Sequence, residues 1–83
     1  MEIQRPVPTY QRPVTRADAW LQTLFEAKAA REGRIIRRSI EDVERLVGWH
    51  RFQAELTRRG FHAVENAGQV VIFCNAEPVR VIR

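Results

Sequence analysis

The chain has 83 residues, 45% of them apolar and 29% charged, a composition that suits one small globular domain and leaves no room for a second domain or a deep cleft. The longest apolar run, Val70 to Cys74, is far shorter than a membrane span, and a single cysteine excludes an internal disulfide framework. The net charge is +4, and every basic residue except Lys28 is an arginine, whose planar guanidinium matches phosphate oxygens in pairs.

Residues 1–14 hold Pro6, Pro8 and Pro13, which fix φ and remove amide donors, so an extended arm is predicted there. Thr15 follows as a helix N-cap, with Asp18 in the capping-box position. Ala17, Trp20, Leu21, Leu24 and Phe25 recur at helical spacing, and Gly33 is a natural stop, so a helix is predicted over 16–32. Arg34 to Arg38, β-branched at its centre, reads as a short strand. Ser39 caps the next helix, with Glu41 and Asp42 in its first turn.

Over 40–59 the apolar residues change face. Ile40, Val43 and Val47 share one side of a continuous helix, whereas Trp49, Phe52 and Leu56 lie nearly opposite. One helix would be apolar all round, which a chain of this size can hardly bury. A break at Gly48 resolves the conflict, giving helices at 40–47 and 49–59 joined by a tight turn. Gly60 ends the second of these. Phe61 to Glu65 and Val70 to Cys74 then form a hairpin around the turn Asn66 to Gln69, and the second strand, apolar on both faces, is expected to be central. A last strand is predicted at Val79 to Ile82, behind Pro78. The fold class is therefore α+β. Three helices pack on a small antiparallel sheet in the order α-β-α-α-β-β-β, with the proline-rich arm over 1–14 and a single domain over 15–83.

That order resembles winged helix-turn-helix domains, and the likeness covers residues 16–75. It implies that the helix from Trp49 to Arg59 reads a duplex major groove and that the hairpin is the wing. Carried onto this sequence, Arg51 and Gln53 have the chemistry to read base edges, Arg58 and Arg59 suit phosphates, and Arg34, Arg37 and Arg38 add backbone contacts. His50 and Thr57 share the outward face of that helix. The wing turn departs from the pattern, since residues 65–69 hold no Lys or Arg and include Glu65. The chain also resembles short uncharacterised bacterial proteins, which implies no activity. The run Arg58-Arg59-Gly60-Phe61 ahead of a hairpin is similar to small toxin ribonucleases, but their Gly-Ser-His-His signature is absent, so no catalytic residue carries over.

Other chemistry is thinly represented. His50, His62 and Cys74 lie twelve residues apart, without the short spacing zinc sites favour. No base is paired with Cys74 by the sequence, and Gly60 and Gly68 make no phosphate loop. The expectation is a non-enzymatic binding protein with no cofactor, no metal, no small-molecule substrate and no membrane partner. Residues 1–6 show no secretory pattern, so a cytoplasmic location is expected. Two partners remain open: duplex DNA or RNA, or a protein in a homodimer or larger assembly, where apolar faces of the 40–59 helices and the central strand are shared between chains.

Overall fold

The structure, a computed structural model, describes residues 15–83; the proline arm over 1–14 lies outside them. The described chain forms α1 (Arg16–Glu26), α2 (Lys28–Arg31), β1 (Ile35–Ser39), α3 (Ile40–Leu46), α4 (Trp49–Arg59), β2 (His62–Asn66) and β3 (Gln69–Phe73). It is an α+β fold of four helices and one antiparallel sheet ordered β1-β3-β2.

Local chemistry starts each helix. Thr15 closes a full capping box on α1: its hydroxyl accepts from the Asp18 amide at 3.0 Å, and Asp18 accepts from the Thr15 amide at 3.4 Å. Ser39 accepts from the Asp42 amide at 3.3 Å and starts α3 directly at the end of β1. Gly48 precedes α4 with φ 94° and ψ 134°, a backbone shape nearly closed to residues with a Cβ. Gly48 has no side chain to cap the helix. Glu44 does so from α3, its carboxylate accepting from the Trp49 amide at 3.1 Å.

The helices cover one face of the sheet. Val43, Phe52, Val70 and Ile72 are the most deeply buried side chains, joined by Leu21, Leu24, Phe25, Ala30, Ile36, Leu56 and Cys74. β3 is central, as its two-sided apolar pattern predicts. Its Val70 and Ile72 are buried, while Val71 and Phe73 face the other way and are half-buried. The register places Ile36 and Ala63 on either side of Ile72, and Arg37 and Val64 on either side of Val71.

Three details differ from the sequence prediction. The helix expected over 16–32 is interrupted at Ala27, whose ψ of 149° is extended. An unbroken helix would turn Lys28, seven residues after Leu21, into the apolar stripe. The break leaves Lys28 in solvent beside Glu32 and brings Ala30 into the core. The hairpin is tighter than expected, with the two residues Ala67 and Gly68 at φ 52° and 77° between its strands. Finally, Val79 to Ile82 is no strand. A strand following β3 through a tight turn needs a free edge of β3, and β1 and β2 occupy both.

Candidate nucleic-acid interface

α4 buries Phe52 and Leu56 and leaves His50, Arg51, Gln53, Thr57, Arg58 and Arg59 at the surface. The six do not form one face. At 100° per residue, His50 and Arg58 point most directly outward, Gln53 and Thr57 turn toward β2, and Arg51 turns toward α1. Gln53 and Thr57 line a groove of about 390 Å³ between α4 and β2.

The arginines differ in what holds them. Arg51 donates to Asp18, thirty-three residues away on α1, and this hydrogen bond holds the Asp18 carboxyl below its ordinary range. Arg58 donates to Glu55 at 2.7 Å, and Arg59 donates to the same carboxylate at 2.7 Å. The Glu55 side chain is only 12% exposed, and its two guanidinium partners, Arg58 foremost, hold its carboxyl low against the opposing effect of burial. Arg59 also lies over the Phe25 ring at 4.4 Å. A guanidinium held by a carboxylate and an aromatic face in this way is a packing element joining α4 to α1. Arg59 is thus packed against the body of the fold, with its side chain 31% exposed.

β1 carries the other predicted cations. Arg34 precedes the strand and pairs with Glu32 at 2.8 Å. Arg37 and Arg38 are exposed on the sheet edge and have no carboxylate partner among the described residues; Arg38 donates to the Arg37 carbonyl at 2.6 Å. Together with Ser39 and Gln69 they line a recess of about 490 Å³. Consecutive strand residues turn to opposite faces, so the two guanidinium groups lie on either side of this edge and give it positive charge, which suits an anion. The hairpin tip beside it is tied to the body, since the Gly68 carbonyl accepts from the Ile40 amide at 2.9 Å. The tip braces α3 and brings no cation of its own.

His50, His62 and Cys74 do not come together, and no group of three or more potential metal ligands gathers among the described residues. Cys74 is 3% exposed, and burial pushes its thiol above the ordinary range, which disfavours the nucleophilic thiolate. No described helix is long and apolar enough to cross a membrane.

The arginines fall into two groups, Arg37 with Arg38 on a sheet edge and Arg51 with Arg58 on a helix. Their exposure follows from helix and strand periodicity, and the Glu55 pairs follow from spacing of three and four residues along α4. The Asp18 partner of Arg51 does not, because that contact depends on how α1 and α4 cross. Comparison with protein-family models, with curated proteins and with solved structures returned no match.

Proposed function

We propose that the chain is a non-enzymatic nucleic-acid-binding module of the winged helix-turn-helix type, with duplex DNA or RNA as its partner. The observation that carries this reading is the break at Gly48. It sets α3 and α4 as two helices ahead of a hairpin, with the polar face of α4 turned to solvent. In this reading His50, Arg51 and Arg58 meet the nucleic acid from α4. Arg37 and Arg38, which have no carboxylate partner among the described residues, neutralise phosphates from β1. The hairpin serves as a brace, consistent with its lack of Lys and Arg at the tip.

The ion pairs on α4 are compatible with this role. Both Arg51–Asp18 and Arg58–Glu55 keep their guanidinium groups well exposed. The Arg51–Asp18 pair is exposed on both sides, and such pairs contribute about 0–1 kcal/mol, so exchanging that carboxylate for a phosphate oxygen costs little. Glu55 is mostly buried, but it keeps Arg59 as a partner when Arg58 turns away. Fluorescence anisotropy with a labelled duplex tests the reading. The expected result is affinity that falls steeply with salt, and weaker binding by Arg51→Ala/Arg58→Ala with thermal unfolding nearly unchanged. Binding unaltered in that variant removes α4 from the interface, and no binding at low salt rejects the function.

A further inference from the structure

Independently of nucleic-acid binding, the segment that fails to become a strand has a second use. Val79 to Arg83 has no secondary structure, and Val81 and Ile82 are 81% and 83% exposed. These are β-branched residues, suited to a ladder, left in water because the adjacent strand has no free edge. Among the described residues the outer edges of β1 and β2 have no strand partner. We propose that Val79–Arg83 of one copy adds as an antiparallel strand to the β2 edge of a second copy, and the reverse, forming a two-fold symmetric dimer.

Charge selects the edge. The tail carries Arg80 and Arg83. β1 presents Arg37 and Arg38, which repel it. β2 presents Glu65, exposed and without a cationic partner among the described residues. Setting Arg80 opposite Glu65 fixes the rest of an antiparallel register: Val81 falls opposite Val64, and Ile82 opposite Ala63. Val64 is 43% exposed on the outer face of the sheet, so Val81 covers apolar surface there. Ala63 lies on the inner face at the groove between β2 and α4, and the groove wall includes Trp49 and Leu56. Ile82 reaches that wall from the added strand. One register thus satisfies the unpaired acid, the exposed valine and the apolar groove together.

The connection is long enough. In the symmetric arrangement each tail crosses its own β2 and one partner tail, about 14 Å at normal strand spacing; Phe73 to Val79 reaches up to about 20 Å when extended, which requires Cys74 and Asn75 to release the Arg34 and Gly33 carbonyls and the Asn75–Glu77 turn to open. Both tails then lie between the two β2 strands, and a continuous sheet replaces two open edges.

Sedimentation equilibrium on the full chain tests this with a charge exchange. Wild type is expected at twice the chain mass at high micromolar concentration. Glu65→Arg and Arg80→Glu, each at an exposed position, are each expected to weaken the dimer about ten-fold, as attraction becomes repulsion. An equimolar mixture of the two variants is expected to regain wild-type association, because each tail then meets an edge of opposite charge. Ile82→Asp is expected to abolish association, with circular dichroism unchanged. A monomeric wild type, a dimer indifferent to both reversals, or a mixture no stronger than its components would each overturn the proposal.

Discussion

The two edges of the sheet are built on the same central strand and differ in almost everything else. β1 carries Arg37 and Arg38, runs without a gap into the Ser39 cap of α3, and has no acid of its own. β2 carries Glu65 and Val64 and stands beside a groove walled by α4. Among the described residues each of these strands has one long edge without a strand partner. Side-chain charge makes the difference: one edge carries two arginines, and the other carries an acid beside exposed apolar surface. The two edges lie on opposite sides of β3, so one three-stranded sheet presents two borders of different charge.

If β3 is the common support, damage to it removes both edges at once. Ile72 is fully buried, with Ile36 of β1 and Ala63 of β2 opposite it. Ile72→Ala is expected to have the largest effect on stability, a loss of about 2–5 kcal/mol in urea unfolding. A loss well under 1 kcal/mol would show that the sheet does not depend on its centre.

Gly48→Ala acts at the turn that joins α3 to α4. No atom lies within 4 Å of the added methyl, so the expected loss of about 1–3 kcal/mol comes entirely from the backbone at φ 94°. No measurable loss would mean that the turn relaxes into an ordinary helix. Ala67→Gly works in the opposite direction at the hairpin tip, where alanine sits at φ 52°. A gain of up to about 1 kcal/mol is expected from relief of the left-handed strain, partly offset by the greater freedom of glycine when unfolded. The smallest effect is electrostatic. The Asp18 carboxyl is held below its ordinary value of 3.8 chiefly by Arg51. Its contribution is therefore present above that value and lost as pH falls through the lowered folded one. Wild type should lose more stability than Arg51→Ala as acid is added below about pH 4, and equal losses would show that the pair does not persist in solution.

Much of the frame is legible in the order of residues. Thr15 and Ser39 announce their helices, the change of apolar face on either side of Gly48 demands a turn, and the run from Val70 to Cys74 asks to be central. These features depend on neighbours within a few residues. The failures depend on topology. Lys28, seven residues after Leu21, does signal that the first helix must break, but the apolar stripe before it is the stronger pattern and hides the interruption. The strand expected at Val79 to Ile82 has the right composition and no available edge, which becomes visible only once β1 is known to pair with β3. The candidate site divides in the same way. Exposure of the arginines follows from helix and strand periodicity. Their partners, Asp18 from another helix and the Phe25 ring beneath Arg59, follow from how the elements cross and have no local signature.

The basic edge is most directly tested by the salt dependence of duplex binding, compared between wild type and Arg37→Ala/Arg38→Ala. Each phosphate contact contributes about 0.9 to the slope of log affinity against log salt. Loss of two contacts should flatten that slope by nearly 2, with unfolding unchanged. An identical slope in the double variant would contradict the assignment of this edge to phosphate.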